Sequence, residues 1–117
     1  DLLDQGLIIA GGSDAPVEIG DPRIEFYAAV TRKDTTGFHA SGWNLDQRVT
    51  RQQALKMFTI WPAIASFQED VKGTIEVGKF ADFSIFNKDL MRIPEPEILN
   101  SKNILTVVGG KIVFQDL

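Results

Sequence analysis

There is no cysteine in this 117-residue chain and one histidine, His39. Without thiols there are no disulfides and no thiolate metal sites, so any metal chemistry has to use oxygen or imidazole ligands, and one imidazole cannot build such a site unaided. Long apolar runs are missing too. None approaches the roughly 20 residues that cross a bilayer, and Asp1-Leu2-Leu3-Asp4 has neither the basic start nor the apolar stretch of a signal peptide. Charge of one sign is nowhere concentrated: twelve basic and sixteen acidic residues give a net charge of -4, in blocks of one sign no longer than two, which leaves no electrostatic footprint for a nucleic acid. The expectation is a soluble, cytoplasmic protein with no membrane or nucleic-acid partner. A first residue other than methionine adds the expectation that the numbering opens inside a longer gene product.

What is present is a core-forming composition, 44% apolar, with punctuation that divides it. Leu7 to Ala10 is a short continuous apolar run between Gly6 and Gly11, the pattern of a parallel-type strand covered on both faces. It leads through Gly12 and Ser13 to the carboxylate of Asp14, and a buried strand that ends in an acid is how an α/β barrel presents a catalytic group at its mouth. Asp21-Pro22 reads as the N-cap and first position of a helix that runs to about Arg32, with Ile24, Tyr27, Ala28 and Thr31 at helical spacing. Residues 33–44 read as a loop, rich in Gly37, Ser41 and Gly42, with Phe38 and Trp43 as apolar anchors. Thr50-Arg51-Gln52-Gln53 fits a capping box. The helix it opens has Ala54, Leu55, Phe58 and Trp61 on its apolar face, is interrupted by Pro62, and resumes to Phe67.

From Gly73 the period changes to two. Ala81, Phe83 and Ile85 alternate with Asp82 and Ser84, which predicts a strand in an antiparallel layer, preceded by a turn at Gly78. Gly109-Gly110 between 104–108 and 111–115 is a two-residue hairpin signal. The Pro94 and Pro96 segment, Met91 to Asn103, reads as a connection. These features divide the chain into 1–70 and 71–117.

Several of these pieces, taken in order, resemble the carboxyl-terminal part of the metal-dependent amidohydrolase superfamily, most closely the branch that includes deformylases of N-substituted formamides. The matching pieces are Gly12-Ser13-Asp14-Ala15-Pro16, residues 27–32, Leu45 through Ala54, Pro62-Ala63, residues 73–82, and Val108-Gly109-Gly110-Lys111. The resemblance implies an α/β fragment: residues 1–70 as the last strand and helices of a (β/α)8 barrel, and 71–117 as part of a small β-sandwich. It implies hydrolysis of a non-peptide carbon-nitrogen bond in a small-molecule amide, with a divalent metal, zinc by expectation, in the full-length enzyme. Asp14 is the position that inherits contact with the metal or its water and takes the proton as water attacks the carbonyl. The family's His-x-His pair, its ligating lysine or glutamate and its two further histidines belong to earlier strands, so this chain alone is expected to hold no metal and to be inactive. A fragment of this kind, cut from its neighbours, is also expected to self-associate.

Each candidate has a plainer reading. By residue type alone Asp14 caps the turn before Pro16; the ordered motifs shift it to catalysis in the intact enzyme. His39 matches no ligand position of the family and reads as loop packing. Glu18 with Asp21 could pass for a glycosidase acid pair, but Asp21 is better explained as a cap. Trp43, Trp61 and the phenylalanines read as core rather than as a stacking surface. Asp82, inside an apolar strand, calls for a defined partner, expected as a turn or a backbone amide near Gly78-Lys79 rather than as catalysis. A non-catalytic interaction or scaffold module derived from such a tail is the alternative to the enzyme.

Overall fold

Pro22 and Asp21 set where the first helix begins. Proline supplies a preset φ and lacks a donor that the first turn could not use, while the Asp21 side chain accepts from the Arg23 amide at 3.0 Å. The computed structural model describes residues 2–38, 41 and 43–116, and in it this helix, α1, covers Pro22–Thr31 and stops at Arg32, whose backbone is left-handed (φ 57°). The expected capping box is present: Thr50 accepts from the Gln53 amide and Gln53 accepts from the Thr50 amide. It opens α2, Arg51–Met57.

The interruption at Pro62 falls earlier in the chain than the sequence suggested. α2 ends at Met57, and α3, Ile60–Ala65, already contains Pro62 in its first turn. A proline ring clashes with the carbonyl four residues behind it, here that of Phe58, so the break belongs at Phe58-Thr59.

The sheet is antiparallel with order β1-β2-β3: Phe83–Phe86, Asn103–Val108 and Lys111–Gln115. Gly109 (φ 55°) and Gly110 (φ 77°) make the tight turn of the hairpin, the double positive angle that favours glycine. Together the elements form a small α/β fold. β1 begins at Phe83 rather than Ala81, and Ile85 is exposed on the face expected to be apolar and covered.

The core lies between α1, α2 and the connection before β2. Phe26, Tyr27 and Val30 of α1 meet Ala54 of α2 and Ile98, and Phe58, Leu90, Met91 and Ile93 pack around them. Ile98 is fully buried although its segment carries only a short 3-10 turn, Glu95–Glu97. Arg51 of α2 holds that segment by donating to the carbonyls of Leu90 and Ile93. Arg23 of α1 does the same at the Ser101 carbonyl.

Three expectations of burial fail. Leu7 to Ala10, expected as a strand, has no regular secondary structure and joins no ladder, and Leu7 and Ile8 are 51% and 45% exposed; among the described residues no strand is placed beside this run to cover it. Leu55 is exposed on the outer side of α2. Phe38, Trp43, Phe67, Phe80 and Phe114 are exposed as well, so the aromatics do not all enter the core. Trp43 is held by other means, its amide donating to the Arg32 carbonyl at 3.0 Å and its ring lying 5.1 Å from the Arg32 guanidinium. His39 and Gly42 lie outside the described residues.

The accessible surface is 8087 Å², against about 6,300 Å² for a compact monomer of this mass. The radius of gyration is 14.9 Å, against about 13.4 Å for a compact domain of this length. Among the described residues no helix is long and apolar enough to cross a membrane.

Candidate active site

Asp14 stands at the end of the irregular segment that begins at Leu7. Among the described residues that segment is tied to the helices at one backbone bond, the Gly11 amide donating to the Met57 carbonyl at 2.8 Å. Beyond it the chain turns: Asp14 itself is left-handed (φ 54°), its carbonyl accepts from the Val17 amide at 2.9 Å, and the Ala15-Pro16 bond is cis. Gly20, at φ 77°, brings the loop back so closely that a β-carbon there would lie 3.3 Å from that of Ala15. Aspartate tolerates the left-handed region better than most residues, though it still costs about 1 kcal/mol.

The Asp14 side chain is exposed, and among the described residues nothing donates to it. Its oxygens are open to a ligand, whereas those of a capping carboxylate are already occupied by donors. Asp21 shows the contrast. Its oxygens accept from the Arg23 amide and from the Arg23 guanidinium at 2.9 Å and 2.5 Å, and the Arg23 side chain holds its pKa below the ordinary carboxylate value. It is a cap, as its place before Pro22 suggested, and it forms no acid pair with Glu18, which is exposed.

Asp82 does have a backbone amide partner, but not near Gly78-Lys79. Its Oδ1 accepts from the Gly109 amide in the β2–β3 turn at 2.6 Å, and Gly110 donates to the adjacent Ala81 carbonyl at 3.1 Å. The expected location was wrong because the hairpin turn, distant in sequence, folds over the start of β1.

Two surface clefts, of about 300 and 590 Å³, do not include Asp14. The larger lies between Ile19–Arg23 and the sheet, with Asn103 in its wall; the Asn103 Oδ1 atom is buried without a partner, as is Oε2 of Glu69. Neither residue drew attention in the sequence, where nothing marks an isolated Asn or Glu as buried. Among the described residues no group of three or more His, Asp or Glu could hold a metal ion. Asp14 fits as one oxygen ligand or as a base, not as a complete set.

The sequence profile of the amidohydrolase family matches residues 1–114. The chain belongs to the amidohydrolase family. It is 31% identical to YtcJ of Bacillus subtilis (strain 168) over 114 residues, 97% of this chain and 22% of that protein. It is 30% identical to the N-substituted formamide deformylase of Arthrobacter pascens over 114 residues, 97% of this chain and 20% of that one. This amidohydrolase chain therefore spans about a fifth of the length of the curated relatives it matches. The crystal structure of an amidohydrolase from Thermotoga maritima MSB8 superposes with a TM-score of 0.67 at 24% identity, over 98% of this chain and 25% of that one. That likeness speaks for the fold alone.

Proposed function

We propose that this chain is the carboxyl-terminal part of a metal-dependent hydrolase that cleaves a non-peptide carbon-nitrogen bond in a small amide, with Asp14 as its general base. Residues 1–70 would be the last strand and helices of a (β/α)8 barrel, and 71–117 part of a β-sandwich. The observation that carries the reading is the free Asp14 carboxylate, held by a left-handed turn at the end of the segment that begins at Leu7, in a chain of this family. The name of the Arthrobacter relative directs the substrate search to N-substituted formamides.

A divalent ion, zinc by preference, would supply Lewis acidity and lower the pKa of water toward about 7. Asp14 would be one of its ligands or stand beside it; the other ligands would come from residues outside this chain. Asp14 accepts the proton of the attacking water at a carboxylate oxygen, then returns it to the departing nitrogen. Exposed Leu7 and Ile8 fit a strand whose neighbours lie elsewhere in the protein.

Metal analysis and amide hydrolysis assays on this chain and on the full-length gene product test the proposal. Metal and turnover are expected in the full-length product and neither in this chain by itself. A full-length product with no metal and no amidase activity overturns it and favours the scaffold alternative.

A further inference from the structure

Pro62 has an effect on the segment that carries Asp14. In an unbroken helix the Met57 carbonyl would accept from the Trp61 amide. The break at Phe58-Thr59 releases it, and the Gly11 amide takes it at 2.8 Å. The same turn lays the Phe58 ring against Gly11. A β-carbon on residue 11 would lie 2.8 Å from Cε1 and 3.1 Å from Cζ of Phe58, and 3.3 Å from the Met57 β-carbon. Gly11 is not among the glycines with positive φ, so what it provides is space rather than an unusual backbone angle. Phe58 in turn packs on the cluster of Phe26, Tyr27, Val30, Ala54 and Ile98 and cannot retreat freely.

We propose that Gly11, the Met57 carbonyl and the Phe58 ring form a latch that sets the reach of Asp14, three residues onward, and that Gly11 and Phe58 are positioning residues. The proposal rests on the reading of Asp14 as the catalytic base. Among the described residues no other backbone bond between Gly11 and Asp14 fixes the segment to the helices, so an error at Gly11 passes to the carboxylate. A misplacement of about 1 Å at such a group costs on the order of 100-fold in rate.

The test uses the full-length gene product with Gly11→Ala, Phe58→Leu, both together, and Asp14→Asn, and reads turnover per bound metal, KM, and hydrogen exchange at the residue 11 amide. Turnover per bound metal separates misplacement from mere loss of folded enzyme. Gly11→Ala is expected to lower kcat by about tenfold or more with KM changed by less than about twofold and to speed exchange at its amide. Leucine lacks Cε1 and Cζ, so the double variant is expected to return both readings to those of Phe58→Leu alone. Wild-type turnover in Gly11→Ala, or a loss that Phe58→Leu does not relieve, including failure to fold in both backgrounds, overturns the latch. Wild-type turnover in Asp14→Asn overturns the catalytic reading itself and the latch with it.

Discussion

The Asp82 carboxylate accepts a hydrogen bond from the Gly109 amide at 2.6 Å, closing 27 residues of chain between the start of β1 and the β2–β3 turn. It satisfies an amide that the tight turn leaves outside the β2–β3 ladder, and it fixes the hairpin against β1. Asp82→Ala is expected to lower stability by about 1 kcal/mol and to speed hydrogen exchange at Gly109. Asp82→Asn, which keeps an acceptor oxygen, is expected to retain most of the protection. Unchanged exchange in the alanine variant would contradict the assignment.

Gly73 has a φ of 96°, and a β-carbon there would lie 2.8 Å from that of Ala63 and 3.0 Å from the Ile60 α-carbon. Both the backbone angle and the space require glycine, because the neighbour is helix backbone and cannot swing aside. Gly73→Ala is expected to cost about 2 kcal/mol or more in urea unfolding. A loss below about 0.5 kcal/mol, the range of an ordinary surface change, would show that the turn does not sit against α3.

Asp21 predicts part of the acid response. Its pKa is lowered chiefly by the hydrogen bond from the Arg23 side chain, so the folded state binds its proton less readily than the unfolded chain. The stabilisation is therefore present above the unfolded value near 3.8 and is lost as pH falls through the lower folded one. Asp34, Glu76 and Glu97 are lowered too, by Thr36, Thr74 and Lys88 first. Asp21→Asn keeps a capping side chain but removes one titration, so stability measured from pH 6 downward, about two units above these carboxylates, is expected to fall less steeply below pH 4. An identical acid limb would contradict the Asp21 assignment.

The open surface has a consequence for the chain in isolation. Its 8087 Å² exceeds the compact expectation by about 1,800 Å², and Leu2, Leu7, Val17 and Ile19 are 51–86% exposed. Light scattering at moderate concentration is expected to show self-association of the isolated chain. A monomer throughout would mean that these apolar groups need no cover.

Local signals were legible in the sequence because their physics is local. Asp21-Pro22, Thr50 with Gln53, and Gly109-Gly110 each satisfy or position backbone within a few residues, and each was found where it was expected. Leu7 to Ala10 was not legible in the same way: an apolar run implies a cover but does not say whether this chain contains it. Ile98 follows Pro94 and Pro96 with no periodicity to announce it, yet it is fully buried. The partner of Asp82 and the contact of Gly11 with Phe58 depend on pairs far apart in sequence. Asp14 was marked by the order of motifs around it; its left-handed backbone and its lack of a donor emerged only from the fold.

Turnover of the full-length gene product carrying Asp14→Asn, measured on N-substituted formamides and cyclic amides together with its metal content, tests the central claim most directly. The account predicts a fall of about 100-fold or more in metal-dependent kcat in a folded protein. Turnover near that of the wild type would contradict it.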